Sequence, residues 1–175
     1  MKRYGFALIG ASLLFVSGCS STSQPIEVIG KNDQLEPKIK VSTYGFDSPF
    51  MGIVNPWDSY FRGYIDKTSL AKTYQLYIVT NSVDWMYWDQ ARFLVNGEIV
   101  SLTATRVGYD VECSEYGCAH FEDMVVNVDE NTLLKWAQES NNISIRLGSS
   151  KVTSTVDIEV DPREVKLFLS EMTSN

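Results

Sequence analysis

Apolar and polar residues alternate along much of the chain beyond Lys38, and this period of two predicts β-strands. The segment TYQLYIVTNS places Tyr74, Leu76 and Ile78 on one face of a strand and Tyr77 on the other. Because both faces carry large apolar groups, we expect both faces of this strand to be covered.

Turn signals join the strands into antiparallel hairpins. In ARFLVNGEIVSLTATRV, the Asn96-Gly97 pair is the favoured sequence for a tight turn with positive φ at both central positions. A second pair, VGYDVEC and CAHFEDMVVNV, is joined across residues 114–117. A third pair, NISIRLG and KVTSTVDIEV, has its predicted turn at Gly148 and Ser149.

Two segments change to a helical period. The first, about residues 130–140, follows Asp129 as an N-cap and carries an apolar stripe. The second, about 162–173, has Asp161 as its N-cap, a proline at the first helical position and Glu164 in a capping-box-like position. Its apolar residues recur at the spacing of one buried face: Val165, Phe168, Leu169 and Met172.

These elements predict a mainly β fold, either an antiparallel β-sandwich or a strongly bent sheet with two accessory helices. Residues 38–175 are expected to form one domain. The preceding polar segment, residues 19–37, is interpreted as a tether. Ile26, Val28 and Ile29 leave open the alternative of a short edge strand there.

The N-terminus has the order of an export signal. Lys2 and Arg3 precede an apolar stretch over residues 6–16, which is too short for the ~20 residues of a spanning helix. Val16-Ser17-Gly18-Cys19 then provides an aliphatic residue, two small residues and a cysteine.

This order resembles the lipobox of bacterial lipoproteins. The resemblance implies that residues 1–18 are a signal peptide and that Cys19 takes lipid and becomes the mature N-terminus. The residue after Cys19 is Ser20 rather than an aspartate. In this respect the chain resembles lipoproteins that are carried to the outer membrane. The expected location is therefore the outer membrane, lipid-anchored, on the periplasmic side. The alternatives are an ordinary thiol at Cys19 after a secretory signal, or a buried N-terminal helix.

The charge of the chain excludes some partners. The formal charge is −7, and losing Lys2 and Arg3 with the signal peptide makes the mature body −9. An acidic body of this kind argues against nucleic acid and against docking by charge on anionic lipid.

If Cys19 carries lipid, two cysteines remain. Cys113 and Cys118 enclose four residues in a hairpin-like connection, and exported proteins fold where disulfides persist, so we predict a bridge between them. The alternative is a metal site using Cys113, Cys118 and His120. The spacing matches no recognised zinc finger, and no cofactor is expected.

Catalytic signals are few. His120 is the chain's one histidine, and neither a Gly-x-Ser-x-Gly elbow nor a phosphate-binding glycine loop is present. Glu122 and Asp123 are adjacent, so on a strand they point to opposite faces and make no acid–base pair by themselves. An enzyme that acts on glycans with carboxylates brought together from distant strands therefore remains an alternative.

The densest aromatic segment is SVDWMYWDQ. Trp85, Tyr87 and Trp88 fall within four residues and cannot all face one core, so they are the candidate surface for a partner or ligand. The alternative is that they close the end of the fold. The favoured function is a non-catalytic binding or assembly module of the envelope, with an envelope protein or glycan as partner.

Overall fold

The computed structural model describes residues 26–43, 57–95 and 97–175. The strands and helices run along the chain as β1 (Ile26–Ile29), β2 (Lys38–Thr43), β3 (Trp57–Asp66), β4 (Lys72–Ser82), β5 (Gln90–Val95), β6 (Glu98–Ser114), β7 (Gly117–Asn127), α1 (Glu130–Trp136), β8 (Ile143–Gly148), β9 (Thr155–Val160) and α2 (Pro162–Ser174). This confirms the mainly β prediction with two helices.

All strand pairs are antiparallel and belong to one sheet with the order β1-β2-β3-β4-β7-β6-β5-β8-β9. The long strand β6 connects its two halves. Residues 98–103 of β6 pair with β5, and residues 104–114 pair with β7. The register shifts between Arg106 and Gly108, where Val107 is the extra residue of a bulge.

The sheet curves around a core that includes α1. The Trp136 ring of α1 lies 6.4 Å from the ring of Phe61 on β3 and 4.8 Å from that of Phe93 on β5. Strands four positions apart in a flat sheet would be about 19 Å apart. One indole can contact both only because the sheet bends, which favours the bent-sheet alternative.

The helix predictions are confirmed, with one boundary difference. The carboxylates of Asp129 and Asp161 accept hydrogen bonds from the amides of Thr132 and Arg163. The Thr132 hydroxyl and the Arg163 guanidinium also donate to them, and these side-chain hydrogen bonds, followed by the amide bonds, lower the pKa of both acids. Helix α1 ends at Trp136 rather than near residue 140. The amides of Gln138 and Glu139 bond three residues back, as in a tightened final turn.

Helix α2 packs its predicted stripe on β2 and β3. Phe168 stacks on Phe61 with ring centroids 5.3 Å apart. A Cβ built on Gly63 would lie 2.4 Å from the Met172 sulfur and 3.0 Å from the Phe168 ring, so glycine permits this close approach. Glu164 is buried and hydrogen-bonded to Thr43 of β2, which ties the helix start to the sheet.

Three strand expectations need correction. Ile26–Ile29 forms β1 and pairs with β2, so the tether interpretation is wrong for these residues and the edge-strand alternative is confirmed. Strand β3 is the second difference, because no strand was predicted for residues 57–66. The β8–β9 connection spans residues 149–154, so it is longer than a tight Gly148-Ser149 turn.

The turn between β5 and β6 has the predicted length. Val95 pairs with Glu98, and Gly97 has φ +82°. Asn96, the predicted signal peptide and Cys19 lie outside the described residues. Within the described ranges, neither helix has the length and apolar character needed to cross a membrane.

Candidate binding surface

A buried carboxylate fixes the loop between β4 and β5, residues 83–89. Glu122 on β7 is fully buried. Its carboxylate accepts hydrogen bonds from the amides of Met86 at 2.7 Å and Tyr87 at 3.0 Å. The guanidinium of Arg106 lies 3.4 Å away, with 37% of its side chain exposed. Charge-assisted hydrogen bonds to the buried Glu122 carboxylate therefore hold this loop in place.

Tyr87 has a backbone conformation that side chains rarely adopt, with φ +55°. Its amide donates to Glu122, and its carbonyl accepts a 2.9 Å hydrogen bond from the Ser149 hydroxyl. Contacts on both sides of the residue offset the cost of this conformation. The loop is thus fixed to β7 and to the β8–β9 connection.

The three predicted aromatic residues separate onto two sides. Trp88 is 6% exposed and donates from its indole nitrogen to the Thr80 hydroxyl at 3.1 Å. It is a core residue, so the assignment of Trp88 to a partner surface is wrong. Trp85 and Tyr87 are only half-buried, so both remain candidates for contact.

Trp85 and Tyr87 form an aromatic cluster with Tyr109 of β6 around Arg106. The Arg106 guanidinium lies 5.9 Å, 5.5 Å and 5.4 Å from the ring centroids of Trp85, Tyr87 and Tyr109, respectively. Trp85 meets the Tyr109 ring edge-on at 5.7 Å. Cation–π and edge-to-face contacts of this kind orient the rings and leave part of each exposed.

The β6–β7 hairpin forms an arm, residues 107–119, which includes Tyr109 of the aromatic cluster and extends beyond it. Strand β7 pairs with β4 as far as His120, opposite Ser82. Beyond that point, the described strands of the arm pair only with each other. Its exposed apolar side chains are Val107, Tyr109, Val111 and Tyr116.

The predicted disulfide is present near the tip of the arm. Cys113 and Cys118 are directly opposite each other, with Cα atoms 4.0 Å apart and their sulfurs bonded. A disulfide sulfur cannot act as a thiolate ligand, so this bond argues against the proposed metal site. The described residues contain no other group of metal-binding side chains.

His120 packs against the cluster. Its ring lies 4.7 Å from that of Trp85, and its Nδ1 is buried without a hydrogen-bond partner among the described residues. The geometry gives this histidine a packing role beneath Trp85.

The adjacent carboxylates occupy opposite faces, as the sequence predicts. Glu122 holds the loop, whereas Asp123 accepts a 2.7 Å hydrogen bond from the Tyr77 hydroxyl. Burial and this carboxylate raise the pKa of Tyr77 to about 12. Neither acid faces the other, so this pair provides no acid–base site.

Sequence reasoning missed Arg106 and Tyr109, and it missed the role of Glu122 in holding the loop. Arg106 and Tyr109 lie in a segment identified only as part of β-hairpins. The bulge at Val107 changes the side-chain alternation between them, so no simple period showed that they share a face.

Comparisons of the chain with models of protein families, with curated proteins and with solved structures return no match. What the surface binds therefore follows only from its own chemistry.

Proposed function

We propose that this protein is a lipoprotein of the bacterial envelope, anchored to the outer membrane through Cys19 on the periplasmic side. Its domain acts as a non-catalytic binding or assembly module for another envelope protein. The observation that carries the binding role is the concentration of exposed apolar side chains on the arm, beside the aromatic cluster.

The exposed large apolar side chains are unevenly distributed over the described residues. Five of the eleven lie on the arm or the adjoining loop: Val83, Val107, Tyr109, Val111 and Tyr116. Single exposed apolar residues are normal on proteins, but a group of them is typical of an interaction site. Aliphatic groups beside tyrosine, tryptophan and arginine suit a protein partner, because these aromatics and arginine are enriched at protein interfaces.

The contact surface is also preorganised. The disulfide holds the arm near its tip, and Glu122 holds the loop that carries Trp85 and Tyr87. Ordering a flexible segment on binding costs free energy, so rigid aromatic groups retain more of their contact energy.

The proposed anchor is compatible with this geometry. Six residues, 20–25, separate Cys19 from β1, and a chain of that length spans at most about 20 Å. Four strands lie between β1 and β6 in the sheet order. Strand β1 pairs only with β2 among the described strands, so an anchor at this edge occupies none of the strands that carry the arm. A disulfide also suits an oxidising compartment such as the periplasm.

Site-specific photo-crosslinking in the native envelope tests the binding role. A photoreactive residue at Tyr116, which is 91% exposed, is expected to give an adduct of one discrete mass. Adding Tyr109→Ser is expected to lower the yield roughly tenfold, because interface hot spots are concentrated in such aromatic residues.

Two matched controls use the β5–β6 hairpin. The same photoreactive residue at Leu94, which is 63% exposed, is expected to give no discrete adduct, and Ile99→Ser is expected to leave the Tyr116 adduct unchanged. Equal labelling from Leu94 and Tyr116, or a yield unaffected by Tyr109→Ser, would refute the assignment of the arm.

A further inference from the structure

A polar hollow of about 380 Å³ lies where β8 connects to β9, outside the aromatic cluster. Its walls are Arg92 of β5 and residues 149–155. Ligand pockets commonly begin at about 300 Å³, so the hollow can hold a small charged group together with part of the molecule that carries it.

Two cations line this hollow in an otherwise acidic chain. Neither Arg92 nor Lys151 forms an ion pair with a carboxylate of the described residues. The nearby Arg146 differs, because Asp157 holds it in a salt bridge. An arginine and a lysine that line one hollow without a carboxylate partner favour an anionic ligand.

Neighbouring groups contact both cations. The Arg92 guanidinium lies over Gly148, where a Cβ would come within 2.8 Å of Nη2 and would shift this side chain. The Lys151 ammonium lies 4.6 Å from the centroid of the Tyr87 ring, which orients it by a cation–π contact.

Hydrogen-bond donors complete the wall. Ser149 fixes the loop by accepting from the amides of Lys151 and Val152. The amides of Thr153 and Ser154 have no protein acceptor among the described residues. Asp89 is the nearby acid, and its carboxylate already accepts from the amide and hydroxyl of Ser150.

We infer that this hollow is an oxyanion site that binds a phosphate group. The guanidinium of Arg92 can donate two parallel hydrogen bonds to phosphate oxygens, while Lys151 supplies a second positive charge. Thr153, Ser154 and Thr155 also line the hollow, and their hydroxyls can donate further hydrogen bonds. This inference does not depend on the arm or on a protein partner.

Titration of the full-length protein with inorganic phosphate, followed by amide chemical shifts, tests the site. Saturable shifts confined to residues 148–155 are expected, with a dissociation constant of the order of 1 mM. Arg92→Gln and Lys151→Gln are each expected to weaken binding about tenfold, and Gly148→Ala is expected to weaken it by displacing the guanidinium. Lys166→Gln, on the exposed face of α2, is the matched control and should leave binding unchanged.

A second experiment distinguishes free phosphate from a lipid headgroup. Co-sedimentation is measured with vesicles of phosphatidylcholine containing phosphatidylglycerol. Sedimentation that Arg92→Gln abolishes assigns the site to lipid phosphate, whereas phosphate shifts without sedimentation assign it to a soluble phosphate compound. The absence of both, or shifts that Lys166→Gln reduces as much as Arg92→Gln does, would overturn the inference.

Discussion

Replacing Glu122 with alanine is expected to lower the free energy of unfolding by roughly 2–4 kcal/mol, because buried amides lose charged acceptors. The amides of Met86 and Tyr87 lose their shared partner, and Tyr87 loses the contact that offsets its left-handed conformation. Arg106 is partly exposed, so water can replace its share of the interaction. Urea denaturation measures the loss of stability. Near-ultraviolet circular dichroism measures the change in the environment of the aromatic cluster.

The matched control is Asp123→Ala, one position along the strand and on the opposite face. It removes a single hydrogen bond to a half-buried tyrosine, so we expect a loss of about 1 kcal/mol and an unchanged cluster spectrum. Glu122→Gln keeps one acceptor oxygen and should fall between the wild type and alanine. Equal stability losses for Glu122→Ala and Asp123→Ala would show that the carboxylate does not hold the loop.

Phe168→Ala is expected to destabilise the domain by about 3–5 kcal/mol, the range for removing a large aromatic group from a packed core. Phe168 is fully buried on α2, stacked on Phe61 and edge-on to Tyr74 at 6.2 Å. The cavity would open between the helix and the centre of the sheet. Chemical denaturation measures the loss.

Lys166→Ala serves as the control on the exposed face of the same helix, with an expected change within about 0.5 kcal/mol. Phe168→Leu should cost less than alanine, because it leaves a smaller cavity. A loss below about 1 kcal/mol for Phe168→Ala would mean that α2 is not docked as described.

The two helices could be predicted because their signals are local. Asp161, the following proline and the apolar stripe of α2 act within one segment, and the structure confirms each of them. The same holds for Cys113 and Cys118, whose short separation in sequence already limits how they can pair. Local chemistry therefore accounts for the parts of the fold that sequence analysis predicted.

The aromatic cluster could not be predicted in the same way, because it depends on long-range contacts. Glu122 meets the loop only after β7 pairs with β4, and Arg106 meets Trp85 only after β6 pairs with β7. Trp88 lies in the same aromatic segment as Trp85 and Tyr87, but its side chain is buried in the core. The sequence shows that these aromatic residues lie close together along the chain. The register of the sheet decides which of them stay exposed.

The lipid anchor proposed at Cys19 and the disulfide-bridged arm can be tested in one experiment. The intact mass of the protein, extracted in mild detergent from its own membrane, tests both parts together. We expect the mass of residues 19–175 plus acyl chains, less the two hydrogens lost on forming the Cys113–Cys118 bond. An unprocessed or unlipidated mass would contradict the anchor, and free thiols at Cys113 and Cys118 would contradict the bridged arm.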